Sequence, residues 1–256
     1  MPENLWDAKQ YDHFVTERSQ PFHDLMTLIQ PFENMNVVDL GCGTGALTRQ
    51  LHDKLKPIST LGIDSSVEML QESKKFETEN LKFLKIKVED FHPKEKFNLI
   101  LSNAALQWIP NHQKLFSNLY QWLENNGQLA VQVPSNFEYP SHTIANKIAS
   151  EAPFAVILKG GYKSPVLTIE EYSSLLYSLG FKEQIVRQQV YAHLMDSTDS
   201  LIDWVKGSLL TYYKSPLPNG LYTEFLKVYR RRLLDEIGWS SPFLFPMKRT
   251  LIWAKK

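Results

Sequence analysis

The sequence predicts a doubly wound α/β fold, in which a seven-stranded, mostly parallel sheet lies between helices and carries an added helical cap. Short apolar runs alternate with segments of helical periodicity through the first half of the chain. A glycine-rich turn follows the first of these runs at residues 41–45. At 256 residues with 43% apolar residues, the chain can bury one sizeable core, so we expect a single domain.

Strands and helices are predicted to alternate from residue 36 onward. Two helices come before this point, and Pro21 occupies the favoured first turn of the second. These two helices are predicted at residues 5–17 and 21–29. The strands are predicted at residues 36–40, 59–63, 81–86, 97–102 and 127–133. The helices between them are predicted at residues 46–55, 67–75 and 112–123.

The second half of the chain departs from strict alternation. A helix starts at Thr168, which forms a capping box with Glu171, and it ends at Gly180. Further elements are helices at residues 141–149, 198–210 and 221–237 and strands at residues 182–194 and 248–254. In the simplest form of this fold the last two strands are consecutive, so we expect the extra helices to form a cap. The cap segments are predicted at about residues 1–30, 135–167 and 195–245.

The stretch VVDLGCGTG at residues 37–45 predicts a ligand-binding turn at the end of the first strand. Gly41, Gly43 and Gly45 leave no side chain between the backbone and a ligand. Asp64 ends the second apolar run, where a carboxylate can accept hydrogen bonds from ribose hydroxyls. Together these residues indicate a nucleoside cofactor.

Asp39 favours one of two nucleoside cofactors. The spacing of Gly41, Gly43 and Ala46 also fits a dinucleotide fingerprint, which would indicate NAD. A carboxylate two residues before Gly41 would not help to bind the negatively charged pyrophosphate of NAD. It attracts, however, the positively charged sulfonium and ammonium groups of S-adenosylmethionine. We therefore predict S-adenosylmethionine.

Composition excludes several classes of partner. Lys plus Arg and Asp plus Glu both number 28, so the chain lacks the overall positive field that would hold a nucleic acid. The first ten residues lack a secretory signal, and no apolar stretch reaches the roughly 20 residues needed to span a membrane. Cys42 is the only cysteine, and the histidines lack metal-ligand spacing. We expect a cytoplasmic protein without a metal.

A family resemblance rests on several segments. SNAALQWIPNH at residues 102–112 begins where the fourth strand is predicted to end. With WDAKQYDHFVTERSQP at residues 6–21, LAVQVPSNFEYPSH at residues 129–142 and FPMKRTLIWAKK at residues 245–256, the chain resembles the trans-aconitate 2-methyltransferase family along its whole length. The resemblance implies methyl transfer from S-adenosylmethionine to a carboxylate of trans-aconitate, with a monomethyl ester and S-adenosylhomocysteine as products.

A second family is the alternative. NAALQW is also similar to the corresponding segment of the malonyl-carrier-protein O-methyltransferases of biotin synthesis, which esterify a free carboxylate too. The segments ERSQP and NFEYPSH and the strand that carries Arg249 match the aconitate family better.

Adenine recognition departs from the pattern of the resembling proteins. In many of them the third strand ends in Asp, whose carboxylate accepts the adenine amino group, but here the position is Lys87, which cannot accept. Either the backbone at Val88 reads adenine, or Glu89 or Asp90 supplies the acceptor, or Lys87 simply points to solvent at some cost in affinity. The full set of predicted cofactor residues is Asp39, Gly41, Cys42, Gly43, Asp64, Ser65, Met69, Val88, Glu89 and Asn103.

The expected reaction needs no general base, because a substrate carboxylate is already ionised at neutral pH. We therefore predict positioning residues rather than catalytic ones, and arginines that match carboxylates bidentately are the leading candidates. The predicted substrate residues are Tyr11, Arg18, Gln107, Trp108, His142, Arg232 and Arg249. Some of these residues also have a structural alternative. Each arginine can form an ion pair with an acid of the protein, and Arg18 can instead bind the carboxylate of the cofactor. Trp108 can serve in packing, and His142 can make a satisfied polar contact.

Overall fold

Seven strands form one mixed sheet in a computed structural model that describes residues 15–256, with side chains described from Ser19 onward. The strands are β1 Asn36–Leu40, β2 Ser59–Asp64, β3 Leu81–Lys85, β4 Phe97–Asn103, β5 Leu123–Pro134, β6 Glu183–Met195 and β7 Phe243–Lys255. Their order is β3-β2-β1-β4-β5-β7-β6. The first five strands pair in parallel and β7 runs antiparallel to β5, so the predicted fold class is confirmed.

The helices between β1 and β5 alternate with the strands as predicted, and further helices lie before and after this part of the chain. The helices are α1 Val15–Met26, α2 Ala46–Leu55, α3 Val67–Ser73, α4 His112–Trp122, α5 Pro140–Ala149, α6 Ala155–Leu158, α7 Ile169–Leu179, α8 Thr198–Lys206, α9 Thr211–Lys214 and α10 Asn219–Ile237. Short 3-10 helices occupy Lys74–Phe76, Val88–Asp90 and Leu106–Trp108. The capping box of Thr168 and Glu171 on α7 is confirmed. Between residues 15 and 256, no helix is both long and apolar enough to cross a bilayer.

The predicted boundary at Pro21 is wrong. Pro21 lies inside α1 instead of opening it. An internal proline costs about 3 kcal/mol, but burial of an apolar side chain contributes roughly 1.5–3 kcal/mol, and Phe22, Leu25 and Met26 are all buried. Packing therefore outweighs the local signal. Most of the helix predicted at residues 5–17 lies outside the described residues.

One compact unit contains the sheet core and comprises residues 15–135, 165–189 and 249–256 of the described chain. Helices cover both faces of the sheet in this unit. One face has Val37, Leu99, Leu101, Ala130, Leu251 and Trp253 in a cluster with Phe22, Leu25, Met26 and Leu51 of α1 and α2. The other has Val38, Ile100, Leu129 and Val131 in a cluster with Leu115, Phe116, Leu119, Tyr172 and Leu176 of α4 and α7. Water is excluded from both faces, which leaves the carboxyl ends of the parallel strands as the edge for ligands.

The other compact unit comprises residues 136–164 and 190–248 of the described chain. Its helices are joined by an aromatic and hydrogen-bonded core: the Phe225 and Tyr213 rings stack with centroids 5.0 Å apart, and Tyr229 Oη donates to Ser141 O at 3.1 Å. Tyr213 Oη donates to Asn146 Oδ1 at 2.6 Å, which links α9 to α5. This unit thus has a core of its own, and the helical cap remains a prediction.

Candidate active site

The loop after β1 is shaped by its glycines. Gly41, Gly43 and Gly45 have φ of 78°, 56° and 77°, in the left-handed region that favours glycine. The amides of Gly41 and Cys42 both donate to Ile63 O, at 2.8 and 3.0 Å, which ties the loop to the end of β2. A Cβ on Gly41 would lie 2.2 Å from the Cβ of Ala105, whereas one on Gly43 would meet nothing within 4 Å. The backbone at Gly43 is therefore open to a ligand.

Asp64 fixes the loop from the end of β2. Its Oδ2 accepts from the amide of Gly43 at 2.9 Å, and its Oδ1 accepts from the amide of Ser66 at 2.8 Å. Ser66 in turn caps α3, because its Oγ accepts from the amide of Met69 at 3.3 Å. A carboxylate oxygen has two lone pairs, so Asp64 can still accept from ribose hydroxyls. Exposed Ser65 lies between Asp64 and Ser66.

Asp39 is a buried carboxyl group under the glycine loop, with an exposed fraction of 3%. Burial raises the pKa of Asp39 to about 7; the hydrogen bond from Thr48 Oγ1 to Oδ2, at 2.6 Å, opposes this rise, and the charge of Asp64 adds to it. A cation bound nearby would favour the ionised form. The site therefore fits a ligand that carries a positive charge, as S-adenosylmethionine does.

The thiol of Cys42 is buried and is affected by the charges of both acids. Burial, followed by the charges of Asp39 and Asp64, raises the pKa of the Cys42 thiol far above its usual range. The thiol stays protonated at neutral pH and is a poor nucleophile. Cys42 therefore contributes its small size at the turn.

The segment after β4 forms the neighbouring wall. Ala104 has a φ of 56°; its amide donates to Gln132 O at 2.9 Å, and its carbonyl accepts from Gln107 Nε2 at 2.7 Å. Asn103 ends β4, and its buried Oδ1 has no hydrogen-bond partner within the described part of the chain. A buried acceptor without a partner suits a ligand that carries N–H groups, such as the ammonium group of the expected cofactor.

A buried histidine supports the 3-10 helix Leu106–Trp108, which carries Gln107 and Trp108. The Nε2 of His112 lies 3.0 Å from Leu106 O, and its Nδ1 lies 2.5 Å from the hydroxyl of Tyr172. A carbonyl can only accept, so the proton is on Nε2 and Nδ1 accepts from Tyr172. Burial lowers the pKa of His112, which favours this neutral form.

At the end of β3, Lys87 is exposed and Val88 is buried at the start of the 3-10 helix Val88–Asp90. Glu89 and Asp90 are exposed. The exposed Lys87 agrees with the interpretation in which it points to solvent. Readout of adenine by the Val88 backbone stays a prediction, as does the role of Glu89.

Val88→Pro is expected to weaken cofactor binding about tenfold, the usual worth of one hydrogen bond. The change is conformationally mild, because Lys87 already has the extended backbone that precedes proline, with φ −73° and ψ 146°. Titration calorimetry with S-adenosylhomocysteine measures the effect, and Lys87→Ala is the control that should bind normally. Unchanged affinity in Val88→Pro would transfer the role to Glu89 or Asp90.

The predicted substrate residues do not all lie in one unit. Gln107, Trp108 and Arg249 belong to the sheet unit, whereas His142 and Arg232 belong to the other. Tyr11 and the side chain of Arg18 lie outside the described residues, although the backbone of Arg18 is part of α1.

Arg232 and His142 have partners inside their own unit. Arg232 Nη1 and Nη2 donate to Glu151 Oε1 and Oε2 at 2.9 and 2.6 Å, which is the ion-pair alternative for this residue. The Nδ1 of His142 lies 3.1 Å from Ser141 Oγ, and burial lowers the pKa of His142 to about 4. His142 is therefore neutral at pH 7, where it can donate a hydrogen bond but supplies no positive charge.

Sequence reasoning missed two residues that build the loop. Thr48, three residues after Gly45, holds the Asp39 carboxyl group. Phe83 of β3 fills the space above two glycines: a Cβ on Gly45 or Gly62 would lie 2.7 or 2.6 Å from its ring. Both signals are in the sequence. Thr48 is a hydroxyl residue in the first turn of a predicted helix, and Phe83 is opposite Gly62 once β2 and β3 are assumed to pair.

The fold and this site define a class I methyltransferase. Residues 31–198 match the family model described as a methyltransferase domain. A solved structure titled S-adenosylmethionine dependent methyltransferase, from Mesorhizobium loti, shares the fold with a TM-score of 0.53 and 17% identity, over 92% of this chain and 97% of that one.

Curated relatives narrow the class. The trans-aconitate 2-methyltransferase of Deinococcus radiodurans is 38% identical over 238 residues, which cover 90% of this chain and 91% of the relative. The protein of the same name from Methylobacterium nodulans is 34% identical over 255 residues and 98% of each chain. The chain belongs to the trans-aconitate 2-methyltransferase family. These relatives do not favour the malonyl-carrier-protein alternative.

Proposed function

We propose that this protein transfers the methyl group of S-adenosylmethionine to a carboxylate of trans-aconitate, forming a monomethyl ester and S-adenosylhomocysteine. The observation that carries the proposal is a pair of opposite buried charges on one face of the sheet. Asp39 of β1 and Arg249 of β7 are 3% and 5% exposed, respectively. The acid suits a cationic methyl donor, and the guanidinium group suits an anionic acceptor.

Residues of the glycine loop would hold the donor. The open backbone at Gly43, the Asp64 carboxylate and the orphaned Asn103 Oδ1 offer acceptors and close approach to a nucleoside with an amino-acid tail. When bound, the donor supplies a methyl group on a positively charged sulfur: a carboxylate oxygen bonds to the methyl carbon as the C–S bond breaks, and the electron pair stays on sulfur.

The protein's part in this reaction is alignment and charge. No proton moves, because the attacking carboxylate is ionised at neutral pH. Holding oxygen, carbon and sulfur in line can contribute on the order of 7–11 kcal/mol. Arg249, Gln107 and Trp108 would orient the acid, and His112 would keep the segment that carries Gln107 and Trp108 in place. Substrate roles for Tyr11, Arg18, His142 and Arg232 remain predictions.

The direct experiment is incubation of the purified protein with S-adenosylmethionine and trans-aconitate. Citrate, cis-aconitate, isocitrate and malonyl carrier protein serve as competing acceptors. Mass spectrometry should show one added methyl group on trans-aconitate. Absence of that ester would refute the proposed substrate, and methylation of the carrier protein instead would support the alternative family.

Arg249→Ala is expected to raise the Michaelis constant for trans-aconitate at least tenfold, roughly the worth of one charged hydrogen bond, and to leave that for the donor within about twofold. The selective effect follows from the position of Arg249 on β7, three strands from the glycine loop. Steady-state kinetics with each ligand varied in turn measures both constants. Equal changes in both would assign Arg249 a structural role.

A further inference from the structure

Two buried glutamines on β5 have opposite hydrogen-bonding states. Gln128 has partners at both polar atoms: its Oε1 accepts from the amide of Gln30 and from Trp253 Nε1, and its Nε2 donates to Gln30 O. Gln132 lies four residues further along the same face of the same strand. Both glutamines are only 1% exposed. Unlike that of Gln128, however, the Nε2 of Gln132 is buried without a hydrogen-bond partner among the residues described. A buried amide that donates to nothing is costly, so it requires an explanation.

Strand register places Gln132 at the ligand edge. Gln132 pairs with Asn103 of β4. Two residues before Asn103, Leu101 pairs with Asp39 of β1, so Asn103 lies at the level of Gly41. In β7, Gln132 pairs with Leu251, so that Arg249 is its diagonal neighbour on the same face. Diagonal neighbours on antiparallel strands lie about 7–8 Å apart, within reach of long side chains. The donor of Gln132 and the guanidinium group of Arg249 can therefore meet one ligand.

The position also separates Gln132 from the expected nucleoside. The glycine loop and Asp64 follow β1 and β2, whereas Gln132 lies on β5, two strands from β1. Neighbouring strands are about 4.8 Å apart, so the separation is roughly 10 Å. Gln132 thus lies toward the acceptor side of the sheet edge, beside the buried cation on β7.

We propose that Gln132 Nε2 and Arg249 together bind one carboxylate of the acid substrate, and that Gln132 is a specificity-determining residue. This inference rests on the proposed function for the identity of the acid. A carboxylate has an oxygen for each of the two groups, so it can satisfy the orphaned amide and accept from the guanidinium group at the same time. An uncharged acceptor would form only the weaker, neutral kind of hydrogen bond with these two donors.

The test is equilibrium binding of trans-aconitate to the protein saturated with S-adenosylhomocysteine, which needs no turnover. Gln132→Met keeps the length of the side chain and removes the donor. We expect the dissociation constant for trans-aconitate to rise at least about tenfold, with the constant for S-adenosylhomocysteine unchanged and the melting temperature unchanged or higher. Gln132→Glu should weaken binding further, because it places a carboxylate where the ligand's carboxylate must lie.

Gln128→Met is the matched control, since it changes the same residue type on the same face of the same strand. It breaks three hydrogen bonds and should lower the melting temperature while trans-aconitate binds normally. If Gln132→Met binds the acid as tightly as the unchanged protein, or loses S-adenosylhomocysteine instead, the inference is wrong. If the unchanged protein binds trans-aconitate but makes no ester, the proposed function fails while the carboxylate site stands.

Discussion

Gly41→Ala is expected to abolish cofactor binding and to lower the melting temperature by roughly 5–15 °C. The added Cβ would lie 2.2 Å from the Cβ of Ala105, and φ at this position is 78°. Left-handed backbone costs an ordinary residue about 1–2 kcal/mol, and overpacking adds about 1–3 kcal/mol. The loop must move to relieve the overlap, which breaks the two bonds to Ile63 O. Differential scanning fluorimetry and calorimetric titration with S-adenosylhomocysteine measure the two effects.

The double variant Gly41→Ala with Ala105→Gly provides the control. It removes the methyl group that the new Cβ meets, so only the backbone cost remains, and both stability and cofactor binding should partly return. Gly43→Ala gives a second comparison: its Cβ meets nothing within 4 Å, so it has only the backbone cost of φ 56° and should be destabilised less than Gly41→Ala, but it should cover the open backbone against a ligand. If the double variant is no better than Gly41→Ala alone, the contact with Ala105 is not the cause.

Local signals in the sequence were sufficient for the elements around the loop. Strand β1 and helix α2 begin and end at the predicted residues, because an apolar run is stopped by Gly41 and the helix starts directly after Gly45. The capping box of Thr168 and Glu171 also joins residues only three apart. Such interactions are readable because both partners are in the same short stretch.

Interactions across long sequence separations were not predictable in the same way. The continuity of α1 through Pro21 depends on burial of Phe22 against strands much later in the chain. Arg232 was predicted as a substrate residue or an ion pair, but its partner Glu151 lies 81 residues away and could not be named. Charge alone identifies a candidate, and only packing identifies its partner.

The candidate site shows the same division. The glycine loop, Asp39 and Asp64 were predicted because their spacing is itself the signal. Gln132 has no such local signal in the sequence, and its unused amide is apparent only in the folded structure, in which its register with Asn103 and Leu251 is known. The residues proposed for the donor are thus concentrated in short stretches of sequence, whereas those proposed for the acceptor come from separate strands.

Asp39→Asn is expected to stabilise the protein without ligands and to weaken its binding of S-adenosylmethionine. The pKa of Asp39 is about 7 in the folded protein, above its ordinary value of 3.8. The folded state therefore binds more protons than the unfolded state between pH 4 and 7, and stability falls as pH rises through this range. The ionised carboxylate costs up to about 4 kcal/mol above pH 7. Asparagine removes that cost and can still accept from Thr48.

The same substitution removes the negative charge that attracts the donor. In the unchanged protein, S-adenosylmethionine should bind progressively more weakly below pH 7, approaching tenfold per pH unit, because binding requires the ionised form of Asp39. In Asp39→Asn this pH dependence should disappear, and affinity at pH 8 should be about hundredfold lower, the usual loss when one partner of a buried charge pair is removed. Melting curves at pH 5 and 8 and calorimetric titrations over the same range test both statements.

Asp53→Asn is the matched control, because it makes the same chemical change on the exposed side of α2, where Asp53 pairs with Arg49. It should leave both the affinity and its pH dependence unchanged. A stabilised Asp39→Asn variant that binds S-adenosylmethionine normally would show that the buried carboxyl group does not contact the cation. A variant that loses both stability and binding would instead make Asp39 a structural residue of the loop. The expected combination is an Asp39→Asn variant that is more stable but binds S-adenosylmethionine more weakly. This combination requires that the charge of Asp39 both destabilises the folded protein and attracts the ligand.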